Sequence, residues 1–369
     1  MNKINVTSSS MPPFDEYLEK IKPLWETRWL TNCGSLHNLL ETNLEKYLDI
    51  NNVVLMNNGH MALYSAIKSL NLTGEVITTP FTFISTTNAI VQNGLTPVFC
   101  DIDPQTCTID PKEIEKLITE KTSAIVAVHV YGNVCDVEAI ERIAEKYNLK
   151  VIYDSAHAFG IKYKGKTIAN FGDISMMSFH ATKVFHTIEG GAVLFKNSEL
   201  KKKIQSLRNF GFISQEEANV DGMNCKMNEF QAAMGLCNLK YIEDEIQKRK
   251  RVVERYQDKL KDVNGITCWE KQQDVTSNYI YFPIFIDKEK YGLNRDELAL
   301  ILEQNGIVAR KYFYPITSNF ECYKKYKLNT PIAEKISQNV LTLPLYSDLS
   351  FDNVDRICDI IIKGGDYND

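Results

Sequence analysis

Short runs of β-branched and aliphatic residues recur through the first half of the chain. Each ends in a polar or glycine-containing turn, and apolar residues three or four apart follow it. Strands are predicted at residues 53–56, 76–79, 98–103, 124–130, 151–153 and 174–178. Helices are predicted at 14–29, 36–48, 61–70, up to Ile90 and Val91, 111–118 and 137–147. The run 124–130 is almost wholly apolar, as expected of a strand covered on both faces. Such alternation as far as residue 195 predicts a mostly parallel sheet with helices on both sides. One or two long helices are expected over 227–260. The pattern then changes to strands at 279–285 and 307–310 and helices at 297–304, 331–339 and 351–362. This predicts an α/β chain with a large domain over 12–245 and a smaller α+β domain over 246–369. Residues 1–10 read as a flexible lead.

Composition changes this picture little. The 369 residues are 44% hydrophobic and 24% charged, with a formal net charge of −5, so a nucleic-acid partner is not expected. The basic runs at 201–203 and 248–251 sit among acids in helical stretches and read as solvated faces. The 9 cysteines are scattered without a Cys-x-x-Cys pair, which predicts reduced thiols and no zinc site. The first residues carry no apolar core of a signal peptide, and no apolar run is long enough for a membrane span. A cytoplasmic protein is expected.

The candidate chemistry gathers at the ends of the predicted strands. Ser178-Phe179-His180-Ala181-Thr182-Lys183 leads through Glu189-Gly190-Gly191 into another apolar run, which places Lys183 on a loop between buried strands. A desolvated lysine amine forms a Schiff base with a carbonyl, and pyridoxal 5'-phosphate (PLP) is the usual carbonyl partner. A surface lysine beside a turn is the plain alternative. Asp154 ends the strand at 151–153; a carboxylate there needs a partner, and one facing a pyridine nitrogen keeps it protonated. A helix N-cap is its alternative role. His157 is either a core histidine or a residue lying over the ring. Asn58-Gly59-His60 joins a strand to a helix N-terminus, a geometry that binds phosphate, although such turns are common. Phe83, after Pro80-Phe81-Thr82, either stacks on a flat cofactor or packs in the core. No Gly-x-Gly-x-x-Gly follows the first strand, which argues against a dinucleotide-dependent dehydrogenase.

These motifs, with the run from Gly222 to Glu229 that contains Asn224, resemble the DegT/StrS family of nucleotide-sugar aminotransferases over about residues 12–349. The resemblance implies a fold-type-I PLP enzyme with a seven-stranded sheet. It implies that Lys183 is the Schiff-base lysine and proton shuttle and that Asp154 pairs with the pyridine nitrogen. Phe83 and His157 would lie against the two ring faces. Gly59, His60 and Ser178 would hold the phosphate, and Asn224 would reach a phosphate in the neighbouring subunit of a homodimer. Arg310 would contact the substrate, with Thr31 and Tyr314 near the sugar. Lys226 stands where many members have arginine, and His157 where many have glutamine. Both, with the run from His180 to Gly191, look like the subgroup that makes dTDP-4-amino-4,6-dideoxyglucose. That implies L-glutamate as amino donor and a dTDP-4-keto sugar as acceptor. Another nucleotide keto sugar, or a non-catalytic regulatory role, remains open at this level.

Overall fold

The computed structural model describes residues 3–365. The strands are β1 (Asn52–Met56), β2 (Glu75–Thr78), β3 (Thr96–Phe99), β4 (Thr122–Val128), β5 (Lys150–Asp154), β6 (Ile174–Ser178) and β7 (Gly191–Phe195). They form a 7-stranded sheet in the order β1-β7-β6-β5-β4-β2-β3. All pairings are parallel except those of β7, which runs against both β1 and β6. β1, β7 and most of β4 and β5 are buried along their length, because helices cover both faces. The register Ser178↔Gly191 closes the β6–β7 pair, so the loop between them begins and ends at one edge of the sheet.

Beyond the sheet, the Ile242–Leu260 helix leads to a second, 3-stranded antiparallel sheet of Ile266–Cys268, Phe282–Ile286 and Val340–Leu343. Its core includes Val253, Tyr256, Phe282, Leu298, Leu341 and Ile357. The boundary expected at 245/246 falls inside the Ile242–Leu260 helix; residues 366–369 of the smaller unit, like Met1 and Asn2, lie outside the described residues. No helix among the described residues is long and apolar enough to cross a membrane.

Several local expectations change. The helix expected over 14–29 is split into Phe14–Ile21 and Leu24–Thr27, because Pro23 has no N–H to donate. The stretch 227–260 divides into Glu229–Asn238 and Ile242–Leu260. Residues 307–310 form only isolated bridges, Ile4↔Ile307 and Arg310↔Thr342. The strand expected from Tyr279 begins at Phe282, since Tyr279 turns the chain with a φ of 51°. Arg249, in a run expected to be solvated, is 2% exposed and donates to the Leu345 carbonyl; burial pushes its pKa down to about 10.

The lead is not loose over its described part. Ile4 and Val6 are buried, Ile4 exchanges backbone bonds with Gly306 and Val308, and Val6 accepts from Leu345 N. Ser9 Oγ donates to Ala181 O at 2.7 Å, and His186 Nε2 meets Ser10 O at 2.6 Å. The segment thus straps the smaller sheet to the loop that carries Lys183. Its register comes from contacts far away in sequence, which local polarity does not reveal. Truncating a core isoleucine costs about 2–5 kcal/mol, so Ile4→Ala is expected to lower the unfolding free energy by that amount in urea titrations. An unchanged midpoint would mean that the strap does not contribute to the core.

Candidate active site

The site lies at the carboxyl ends of β1, β5 and β6, where the chain turns out of the sheet. Asn58 caps the Gly59–Ser69 helix: its side chain accepts from Met61 N at 2.8 Å, and its carbonyl accepts from Ala62 N. The N–H groups of Gly59 and His60 have no protein partner among the described residues. A Cβ on Gly59 would lie 2.7 Å from Ser178 Cβ, so only glycine lets this turn press against the end of β6. Free N–H groups, a helix N-terminus and the Ser178 hydroxyl therefore converge where an anion would sit. The His60 side chain points elsewhere, with Nδ1 2.9 Å from Ser85 Oγ and Nε2 2.9 Å from Gln92 Oε1. Only its backbone faces the turn.

Asp154 is 4% exposed at the end of β5. Its Oδ2 accepts from Thr86 Oγ1 at 2.7 Å and its Oδ1 from Ala156 N at 3.1 Å. Burial raises its pKa; the Thr86 and Ala156 hydrogen bonds, Lys183 and His60 oppose the rise. Lys183 is half-buried, in a loop whose turn is closed by Lys183 N donating to His180 O at 2.8 Å. Buried Phe179 and Phe185 anchor the loop edge to face, and Phe185 stacks on Phe159 with centroids 4.4 Å apart. Desolvation pushes the Lys183 amine from 10.5 down to about 8, against the attraction of Asp154 and the Tyr312 phenol.

His157, 5% exposed, lies parallel to Phe313 with centroids 5.9 Å apart and meets Tyr281 edge-on at 5.0 Å. Tyr131 N donates to its Nδ1 at 3.3 Å, which assigns the remaining proton to Nε2. Burial, with Lys183 and His129 nearby, holds its pKa well below the usual value, so the ring is neutral.

The other candidates lie further out. Phe83 is 60% exposed after β2, so the core-packing alternative fails for it. Asn224 is exposed, and its Oδ1 accepts from Lys226 Nζ at 2.6 Å. The following residue, Cys225, accepts from Asn57 N, which ties this segment to the end of β1. Thr31 is exposed in the turn before Gly34. Arg310 is exposed, its guanidinium 6.0 Å from the Tyr312 ring. The Arg295 guanidinium packs over the Tyr314 ring at 4.5 Å. The tyrosine that interacts with Lys183 is Tyr312. Thr86 was not among the sequence candidates, because its carboxylate partner lies 68 residues away in the chain.

PLP fits what is present. It needs an amine able to lose its proton, an anion cradle and a carboxylate that lacks a full cationic partner, and Lys183, the Gly59 turn with Ser178, and Asp154 have those properties.

Comparison with known proteins bears on the same reading. Residues 14–362 match the DegT/DnrJ/EryC1/StrS aminotransferase family. A dTDP-4-amino-4,6-dideoxy-D-glucose transaminase of Shigella dysenteriae is 43% identical over 360 residues, 97% of this chain and 98% of that protein. A protein of the same name from Escherichia coli is 41% identical over 364 residues, again 97% and 98%. Among solved structures, DesI in the presence of its TDP-sugar product superposes with a TM-score of 0.96 at 30% identity, covering 100% of this chain and 94% of that one. The aminotransferase PseC of Helicobacter pylori gives 0.93 at 27% identity, covering 99% and 100%. With a match of this length, the chain is a PLP-dependent transaminase and belongs to the DegT/DnrJ/EryC1/StrS aminotransferase family.

Proposed function

We propose that this enzyme moves the amino group of L-glutamate to the 4-keto carbon of dTDP-4-dehydro-6-deoxyglucose. The product would be dTDP-4-amino-4,6-dideoxyglucose, destined for surface polysaccharide such as O-antigen, and made in the cytoplasm. The observation that carries the substrate is the 41–43% identity, over nearly the full length, to two transaminases named for that product. The chemistry rests on a half-buried amine whose pKa lies near 8, beside a buried carboxylate.

PLP, when bound, supplies a carbonyl that carries the amino group and a ring that accepts the electron pair left when a proton departs from carbon. The protein does the rest. Lys183 would hold the cofactor, give way to the incoming amine, and then carry the proton between carbons. Asp154 would face the pyridine nitrogen and favour its protonated form. Neutral His157 and exposed Phe83 would flank the ring without adding charge. The Gly59 and His60 N–H groups and the Ser178 hydroxyl would take the phosphate. Arg310, Thr31 and Tyr314 are assigned to the sugar-nucleotide side. Residues 12–245 and 246–369 would act as the large and small domains that enclose the site.

We also propose a homodimer, with Asn224 reaching the partner's phosphate. Phe14, Trp25, Trp29, Phe210, Phe212 and Ile213 are all exposed on one chain, and a second copy could cover such residues. Sedimentation equilibrium is expected to return twice the chain mass, and a monomer at micromolar concentration would overturn this.

The substrate is tested by incubating enzyme, PLP and L-glutamate with the dTDP-4-keto sugar and reading the product by proton NMR. An equatorial amine at carbon 4 is expected. Turnover of only a UDP or GDP keto sugar would overturn the substrate while leaving the enzyme class intact. Lys183→Ala is expected to abolish multiple turnovers in the same assay.

The amine's pKa gives a pH dependence with a definite sign. With a value of about 8, about a tenth of the amine is neutral at pH 7, against roughly one part in three thousand at 10.5. Covalent uptake of PLP by cofactor-free protein should therefore rise with pH and reach half its limiting rate near 8. A midpoint above 10 would show that the lysine is not desolvated.

A further inference from the structure

Asp154 is held by a group that no step of the reaction touches. Thr86 is fully buried on the Ser85–Gln92 helix, and its hydroxyl donates to Asp154 Oδ2 at 2.7 Å. A hydroxyl has one proton to give. With that proton committed to the carboxylate, the 3.2 Å contact between Thr82 Oγ1 and Thr86 Oγ1 must run from Thr82 to Thr86. Thr82 is itself 3% exposed. The result is an oriented chain, Thr82 to Thr86 to Asp154, in which each bond polarises the next. A deprotonated carboxylate keeps the chain pointing this way, whereas a protonated one has a proton of its own to give.

We propose that Thr86 is a positioning residue for transamination, its hydroxyl oriented by Thr82 and fixing the Asp154 carboxylate in its ionised form and in one rotamer. Valine at 86 would have nearly the same shape and no donor. One oxygen of a buried carboxylate would then be left unpaired, and the proton would be retained to higher pH. The titratable groups facing Asp154 are Lys183 from the β6–β7 loop and His60 from the helix after β1, with the Cys135 thiol near the end of β4. Lys183 leans on the charge of Asp154 to keep its own proton. Loss of that charge should therefore lower the lysine's pKa further. A purely structural role for Thr86 would not move that value.

The inference rests on the proposed placement of Asp154 at the cofactor ring, but not on which sugar is aminated. Its test uses full-length enzyme stripped of PLP, with Thr86→Val, Thr86→Ser, Thr82→Val and Asp154→Asn beside wild type. Equilibrium dialysis gives the PLP dissociation constant, and the pH profile of uptake gives the lysine midpoint. Loss of a donor to a charged acceptor should weaken PLP binding about tenfold or more in Thr86→Val. Its uptake midpoint should fall below that of wild type, and kcat should drop while KM for glutamate holds. Thr86→Ser should restore all of these. Thr82→Val should show the same changes at smaller size, and it decides the matter if Thr86→Val does not fold. Wild-type affinity and midpoint in folded Thr86→Val, or equal losses in the valine and serine variants, would overturn the inference. If Asp154→Asn also binds PLP as wild type does, the placement of Asp154 itself is wrong. If Asp154→Asn fails while Thr86→Val does not, only the role of Thr86 is lost.

Discussion

The structure depends on keeping a carboxylate and an amine ionisable in a place that water scarcely reaches. Asp154 sits at the end of β5 and Lys183 in the loop between β6 and β7, and each softens the cost of burying the other. Attraction alone would leave a salt bridge with an unreactive ammonium. Desolvation alone would neutralise both groups. The balance found here brings the amine close to neutral pH, while hydrogen bonds from Thr86 and Ala156 support the carboxylate. A catalytic lysine needs that intermediate condition, because it must be free of its proton often enough to react and basic enough to take one back.

The fold serves this balance through strand order. β5 delivers Asp154 and β6 delivers Ser178 side by side in the sheet, with the register Asp154↔Met176. β7 returns antiparallel beside β6, so the lysine loop must arch over the same edge and come straight back. β1 lies on the far side of β7, and its turn reaches Ser178 because Gly59 and Gly191 permit close backbone approach. The loop is held from below by Phe179 and Phe185. From the other side it is held by Ser9, Ser10 and Asn238, which bond Ala181 O, the His186 ring and His186 O. Groups distant in sequence thus restrain the segment that must present an amine at a fixed point.

An aromatic wall completes the site. His157 lies parallel to Phe313 and edge-on to Tyr281, Tyr131 stacks on Phe313, and the Tyr131 hydroxyl bonds the carbonyl of Tyr312. Residues 312–313 come from the second half of the chain, so the wall is shared between the regions served by the two sheets. Tyr312, which interacts with Lys183, follows closely on Arg310, whose backbone pairs with Thr342 at the edge of the second sheet.

What the sequence by itself determined is whatever local pattern controls. Buried β-branched runs specify most strands of the large sheet to within a residue or two; the exception is the run expected at 98–103, whose strand lies at Thr96–Phe99 and ends four residues earlier. The polar residues at their ends specify which side chains emerge there, so Gly59, Asp154, Ser178 and Lys183 were legible as a group. Pro23 lies inside the helix expected over 14–29, and its missing N–H breaks that helix in two. Only the tertiary structure decided what depends on contacts between distant segments. It docked residues 3–10, which look loose because just Ile4 and Val6 carry their burial. It brought Tyr312 to the lysine, and it turned Thr86 toward Asp154. Rotamers, desolvation and the direction of a hydrogen bond are properties of the packed interior, and no spacing along the chain encodes them.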